Sequence, residues 1–223
     1  MRCISGRNGE GGNGSHDCLF HRFHFELPDG LVNRVLFERG ETLFEQGEAV
    51  AGCYLLCRGW VKEFYRTPGG EKRALRLVGP EGALALEEVL LEKSWHETAA
   101  HALTDACVVF LRRQGVSALL RKAEWAAFFG VRLARAAATL KLTHRRSDLP
   151  VRARLASLLL ELDRHGLLPQ LALTNEELGE LVGCTPVAVS QNLGRLKRVG
   201  ALDRRRRSLT VLDPQALQAQ TVD

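Results

Sequence analysis

LTNEELGELVGCTPVAVSQNLGRLKRVGAL, running from Leu173 to Leu202, has the form of two short helices joined by a glycine turn. Thr174 can cap the first helix, and Glu177 lies three residues on, which makes a capping box. Leu178 and Leu181 supply its apolar face. Val182-Gly183-Cys184 makes the tight turn, where glycine tolerates a positive φ that other residues resist. Thr185 then caps a second helix, and Pro186 falls at its first position, where a missing N–H costs nothing. Val189, Leu193 and Leu196 share one face and should pack on the first helix. The opposite face carries Val187, Ser190, Gln191 and Arg195 near the N-terminal end, the part of a recognition helix that reaches base edges in the major groove.

Working outward from this unit, Leu202 and Leu209-Thr210-Val211 flank a run of Arg204, Arg205, Arg206 and Arg207. The spacing predicts a β-hairpin wing with arginines at its tip, whose guanidinium groups would hold phosphates without reading sequence. Net charge is +5 and the pI is about 9.1, which suits an anionic partner, and the positive charge concentrates around this unit. From Pro186 to Arg207 only Asp203 is acidic. A solvated surface face explains most isolated charge runs. Here cap, turn, proline, apolar spacing and basic wing all agree on duplex DNA, against a small three-helix domain that binds protein.

Upstream, the shorter helix Val151 to His165 carries Leu155, Leu158, Leu159 and Leu162 on one face, and Gly166 fits its stop. Before it, Trp125, Phe128, Phe129, Leu133, Ala136, Leu140 and Thr143 recur at helical steps, so one long amphipathic helix is expected from Gly115 to roughly Arg146. A helix of that length needs a partner: either an antiparallel contact within the chain or a parallel seam with a second copy. From about Val35 to Leu111 short β-rich runs alternate with turn residues, among them Leu43-Phe44, Cys53 to Cys57, Val61 to Tyr65, Ala74 to Val78 and Ala106 to Leu111. Such punctuation predicts a β-sandwich or β-roll. Residues Met1 to Asp17 hold five glycines and little to bury, so mobility is expected there unless a ligand ties them down.

Composition narrows the function classes. With 45% hydrophobic and 26% charged residues the chain has material for an ordinary globular core. No run approaches the ~20 apolar residues of a membrane span. The most apolar-looking segment, Trp125 to Leu142, is broken by Arg132, Arg135 and Lys141. The N-terminal residues lack an apolar signal core, so a cytoplasmic location is expected. The six cysteines (Cys3, Cys18, Cys53, Cys57, Cys107 and Cys184) are then better read as thiols or metal ligands than as a disulfide framework. No nucleophile setting, phosphate-cradling loop or framed carboxylate pair points to an enzyme, and the adjacent Glu87 and Glu88 need not face one site.

A roll, a long helix and a winged helix-turn-helix, in that order, resemble the CRP/FNR family of transcription regulators. The likeness runs from about Leu27 to Leu217. It rests on Gly40-Glu41, on Gln46-Gly47-Glu48, and on Tyr54-Leu55-Leu56 leading to Gly59-Trp60-Val61-Lys62. Its most specific part is LTNEELGELVGCTPVAVSQNLGRL. The resemblance implies an α+β chain: an N-terminal segment (residues 1–26), a cyclic-nucleotide-binding-type β-roll (27–120), a long dimerisation helix (121–147) and a DNA-binding winged helix-turn-helix (148–223). It further implies a homodimer, a palindromic duplex site, contact with RNA polymerase and more often activation than repression.

Two departures bear on the effector. Cyclic-nucleotide-binding members carry a Gly-Glu-Leu turn and a later Arg-Ser or Arg-Thr pair. Here the turn is Gly82-Ala83-Leu84 and the later stretch is Ser94-Trp95-His96-Glu97-Thr98. The acid for the ribose hydroxyl and the arginine for the phosphate are both missing, and Glu97 would repel the phosphate. Cyclic AMP is therefore not expected. FNR-like members hold an iron–sulfur cluster, which here would fall to Cys3, Cys18, Cys107 and, as a fourth thiolate, Cys53. That would make the chain a redox sensor. Against it stand the absence of a compact N-terminal cysteine group and the apolar strands around Cys53, Cys57 and Cys107, where cysteine is usually a small core residue. His16, His21 and His24 near Cys18 match no defined haem or zinc spacing. A regulator without an effector is the plainest alternative. A signalling module whose roll binds a small ligand and whose tail binds protein is the rival from another class. The recognition helix also departs from the family, which often has Glu and Arg where this chain has Val187 and Gln191, so its operator should differ, with Gln191 favouring adenine and Val187 a thymine methyl.

Overall fold

Alternation of apolar and polar residues in short runs builds strands here, and glycine or proline ends them. The computed structural model describes residues 32–168, 171–205 and 208–221. The roll consists of β1 (Val32–Phe37), β2 (Thr42–Phe44), β3 (Gly52–Arg58), β4 (Val61–Arg66), β5 (Lys72–Val78), β6 (Ala83–Leu84), β7 (Ala99–Ala102) and β8 (Ala106–Arg112). They form two four-stranded sheets, ordered β1-β8-β3-β6 and β2-β7-β4-β5. The runs singled out in the sequence all lie on strands. Three strands lack a signal in those runs: β6 has only two residues, β7 is alanine-rich, and β1 pairs only with β8 at a sheet edge.

Two apolar layers result. Phe44, Leu56, Val61, Leu84, Ala100 and Val108 draw on both sheets and form one layer. The other face of the β3–β8 sheet meets helices: α1 (Leu86–Leu90), α2 (Arg113–Leu119) and the start of α3 (Ala123–Ser147). The helical period beginning near Gly115 is therefore two helices, and the long helix expected over 121–147 is the second of them. Leu119 is buried in the roll core and the chain turns at Leu120–Lys122, where Trp125 N–H donates to the Lys122 carbonyl. Apolar period alone could not show the break, because both pieces bury residues in the same core.

The aromatic residues that open α3 are its anchor. Trp125, Phe128 and Phe129 are buried, with ring centroids 5.3 to 5.8 Å apart. One turn on, Arg132 lays its guanidinium over the Phe128 ring and donates from Nη1 to the Phe128 carbonyl at 2.9 Å. Burial pulls that guanidinium down to about 10. Beyond it the expected stripe loosens: Leu133 and Ala136 are half-buried and Leu140 is exposed. A separate row comprising Ala127, Val131, Ala134, Ala138 and Leu142 is exposed at steps of three and four.

Helix α4 (Val151–Arg164) buries Leu155, Leu158, Leu159 and Leu162, as its spacing predicts, and Gly166 leaves it at φ 65°. After it come α5 (Asn175–Val182), α6 (Pro186–Arg198), the hairpin β9 (Leu202–Arg205) and β10 (Ser208–Val211), and a closing helix α7 (Pro214–Ala219) that the sequence had not suggested. Asp213 caps α7 through Gln215 and Ala216, and Leu217 is buried. Two compact units divide the chain, the first comprising Met1–Glu63 and Leu77–Ala137, the second Phe64–Arg76 and Ala138–Asp223. Among the described residues no helix is long and apolar enough to cross a membrane.

Replacing Trp125 by alanine should cost about 3–5 kcal/mol, the usual loss for a buried aromatic. The urea midpoint of the roll should fall accordingly, and an unchanged midpoint would refute the anchoring role of α3.

Candidate DNA interface

The helix-turn-helix is held by four local devices. Thr174 Oγ1 accepts from the Glu177 N–H at 3.1 Å, and the Glu177 carboxylate accepts from the Thr174 N–H at 2.7 Å, completing the capping box. Gly183 turns the chain at φ 68°, and the Cys184 N–H returns to the Gly179 carbonyl at 3.0 Å. Arg154 on α4 reaches the Gly183 carbonyl at 3.5 Å. Thr185 Oγ1 accepts from the Ala188 N–H at 3.2 Å and caps α6, with Pro186 at the first turn. Thr174 and Thr185 are thus both engaged in capping.

The capped α6 separates its faces cleanly. Val189, Leu193 and Leu196 are buried, while Val187 is 66% exposed and Ser190, Gln191, Gly194, Arg195 and Arg198 are also exposed. Asn192 is buried, and its side-chain amide donates to the Ala188 carbonyl at 2.8 Å, so it supports the helix from within. The exposed row rises at steps of three and four from Val187 to Arg198. That makes one continuous stripe of polar groups and cations beginning at the N-terminal end of the helix.

The wing forms in the predicted place, with Ser208 opposite Arg205. Arg206 and Arg207 lie outside the described residues. Its arginines do not behave alike. Arg205 is 90% exposed and pairs with Asp203 at 3.2 Å. Arg204 is half-buried, and its Nη1 bonds to the Asn175 side chain at the start of α5, tying wing to helix. Of the four arginines expected at the tip, the two described thus differ in their partners. Asp203 accepts from Lys197 at 2.8 Å, from the Arg204 N–H at 2.8 Å and from Arg205. The Lys197 bond, then those to Arg204 and Arg205, hold its carboxyl below the usual carboxylate range.

In the roll, the stretch after α1 is closed by internal pairs. His96 is buried against Glu88 through Nδ1 and stacks on Phe44 with centroids 4.1 Å apart. The second oxygen of Glu88 accepts from the Glu97 N–H at 2.8 Å, and Thr98 donates to Glu63 at 2.9 Å. Glu97 pairs with Lys93 at the surface. Ala83, standing at the acid position of the turn, is buried.

Residues 153–220 match the Crp-like helix-turn-helix domain, and residues 34–123 match the cyclic nucleotide-binding domain. A cyclic AMP receptor protein from Thermus thermophilus is 33% identical over 192 residues, covering 82% of this chain and 87% of that protein. The chain belongs to the CRP/FNR family of transcription regulators. Solved CRP/FNR structures share its fold. A family member from Thermus thermophilus gives a TM-score of 0.75 at 22% identity, over 86% of this chain and 99% of that one. FixK2 from Bradyrhizobium japonicum gives 0.72 at 20% identity, over 86% and 98%. This CRP/FNR chain is a DNA-binding transcription regulator.

Among the described cysteines, the two expected as cluster ligands, Cys53 and Cys107, stand apart. Cys53 lies opposite Leu111 and Cys107 opposite Arg58, at different ends of the β3–β8 ladder. Four residues of strand separate them, about 13 Å at 3.3 Å per residue, too far for ligands of one cluster. Burial pushes the Cys53 thiol well up, the opposite of what a thiolate ligand needs. Cys3, Cys18 and the three N-terminal histidines lie outside the described residues. Among the described residues no three His, Cys, Asp or Glu side chains converge on a common point.

Sequence reasoning missed Gly179, Arg154, Asp203 and Asn175 as supports. A Cβ on Gly179 would stand 2.6 Å from the Cys184 carbonyl oxygen, so the turn closes only over a bare α-carbon. A glycine inside an eight-residue helix was the available signal. Gly179→Ala should cost about 1–3 kcal/mol as an overpacked contact. DNA affinity should fall with it while the roll melts as before; wild-type affinity in this variant would refute the contact.

Proposed function

We propose that this CRP/FNR regulator acts as a homodimer on a two-fold symmetric duplex site, activates transcription through contact with RNA polymerase, and does so without responding to cyclic AMP. The observation that carries the reading is the exposed stripe of α6, opened by Val187 and continued by Ser190, Gln191 and Arg195 beside the basic wing. In the groove, Gln191 has the amide geometry to pair with adenine N6 and N7, and Val187 offers a methyl surface to thymine. Arg195 and Arg205 supply phosphate contacts, as do Arg206 and Arg207 by sequence. Gly194 has open space around it and keeps the middle of the stripe flat for close approach to the duplex.

The dimer is supported by the exposed row on α3. Val131 and Leu142 are 49% and 51% exposed, and Ala127, Ala134 and Ala138 lie between and beside them. Steps of three and four residues with small side chains suit a close parallel helix pair. A second copy on that seam repeats the interface by two-fold symmetry, and a palindrome follows. Activation is drawn from the family likeness.

Independence from cyclic AMP rests on the roll. The stretch that would receive the phosphate offers no arginine; it buries an imidazole and a carboxylate that already satisfy each other. A cyclic phosphate brought there would add negative charge beside Glu88 and Glu97 with no compensating bidentate donor. No catalytic role is assigned, and Glu88 is engaged with His96.

Selection from a random duplex pool should recover an inverted repeat with A·T pairs at the contacted positions, bound by two chains per duplex. Affinity should fall steeply with salt. Arg205→Ala should lower the slope of log affinity against log salt by about one. Asp203→Asn, which frees Lys197 and Arg205, should tighten binding at low salt. A salt-independent affinity would overturn the interface. Titration calorimetry with cyclic AMP should give no binding heat at micromolar concentration, and a micromolar Kd would overturn that part alone.

A further inference from the structure

Three buried thiols stand in the roll, and they are chemically unequal. Along the antiparallel β3–β8 ladder, Leu56 faces Val108 and Arg58 faces Cys107, so β3 takes two steps where β8 takes one. Cys57 is the extra residue of this bulge, and with Arg58 it opposes Cys107. Both cysteines belong to the same apolar layer. From the other side of β8, Arg34 on β1 donates from Nε to Cys107 Sγ at 3.0 Å. The Cys57 thiol also donates to that sulfur. This bond, with the nearby charges of Arg34 and Arg58, holds the Cys107 thiol below its ordinary range even though burial opposes it.

Elsewhere the same thiol group is left inert. Cys53 is fully buried and feels Glu87 rather than a cation, so its thiol is pushed up. Burial also raises Cys184 in the turn. All four described cysteines are free thiols. Only Cys107 combines a guanidinium, a second thiol and a place at the end of the ladder, next to exposed Arg58 and Asp105.

We propose that Cys57 and Cys107 form a dithiol site that a hydroperoxide oxidises to an intramolecular disulfide, with Cys107 attacking and Cys57 resolving. In the first step the Cys107 thiolate attacks one peroxide oxygen. An S–O bond forms, the O–O bond breaks, and hydroxide leaves and takes a proton to become water. In the second step Cys57 loses its proton and its sulfur attacks the Cys107 sulfenic acid. The S–S bond forms, the S–O bond breaks, and a second water leaves with that proton. Two thiols are oxidised by two electrons and one hydrogen peroxide is reduced to two waters. Arg34 stabilises the attacking thiolate, and Cys57, which with Arg58 stands opposite Cys107 in the bulge and shares its apolar layer, supplies the resolving thiol. Of the cluster set Cys3, Cys18, Cys53 and Cys107, only Cys107 takes part.

The test treats the full chain with one equivalent of hydrogen peroxide at neutral pH, alkylates after unfolding, and maps peptides by mass spectrometry. The expected product is a Cys57–Cys107 cross-link, two hydrogens lighter than the reduced pair, with Cys53 and Cys184 alkylated. Cys57→Ser should stop at the sulfenic acid, trapped on Cys107 by a cyclic diketone. Arg34→Gln should slow oxidation about tenfold by raising the Cys107 thiol. A cross-link from Cys107 to another cysteine, full alkylation of both thiols after peroxide, or an unchanged rate in Arg34→Gln would each overturn the proposal.

Discussion

The carbonyl oxygen of Cys184 occupies the space where a side chain on Gly179 would begin, and the DNA-binding half of the molecule is arranged around that approach. Because it is so close, α5 and α6 meet at the turn without a spacer, and Gly183 can reverse the chain at a positive φ with its carbonyl held by Arg154. With the turn fixed, Val189, Leu193 and Leu196 of α6 and Leu178 and Val182 of α5 are all buried, and such packing resists a roll of α6 about its axis. Roll about the axis is what base reading cannot tolerate, since a rotation of one residue, about 100° at 3.6 residues per turn, would exchange Gln191 for Asn192 on the outward face. Specificity on the exposed side therefore depends on packing on the hidden side.

Electrostatics set a second constraint. A hairpin with several cations on a few residues repels itself, and Asp203 offsets part of that repulsion by accepting from Lys197, the Arg204 backbone and Arg205. Its carboxyl is lowered, so its contribution is present above the ordinary carboxylate range and fades only as pH falls through the lowered value. At neutral pH the acid is permanently charged, and the wing is not a pH switch through this group. Arg204 serves the structure through Asn175, while Arg205 stays exposed and paired with Asp203. Neighbouring arginines thus take different partners, Asn175 for the Arg204 side chain and Asp203 for that of Arg205.

The helix-turn-helix was legible because each of its parts has a chemical signature within four residues: Thr174 with Glu177, Gly183 at the turn, Thr185 with Pro186. The β-roll was legible as a series of strands but not in its pairing, since register depends on partners far along the chain. Long-range contacts defeated the rest. The break between α2 and α3 hides inside a continuous apolar period, because both helices face one core. Arg204 looked like its three neighbours until Asn175, twenty-nine residues earlier, claimed it. Cys53 and Cys107 looked like members of one ligand set, and only the ladder places them at opposite ends. The exposed row on α3 is spaced as regularly as the buried stripe, and composition gives no means of choosing which faces the roll.

The roll shows how burial decides what a polar group becomes. His96 and Glu88 are both buried, and each satisfies the other, so together they fill space near the turn as a hydrogen-bonded pair. Cys107 is buried as deeply, but its partners are a guanidinium and a thiol, neither of which quenches the sulfur. A charge-assisted donor favours the thiolate, and a thiolate is a nucleophile whether or not the surrounding layer is apolar. The difference lies in whether the partner can take up the chemistry. An imidazole facing a carboxylate consumes both groups, whereas a guanidinium facing a sulfur leaves the sulfur more reactive than before. By that criterion the pair near Ala83 is spent on its own contact, and the bulge at Cys57 and Cys107 is where the roll keeps a reactive group.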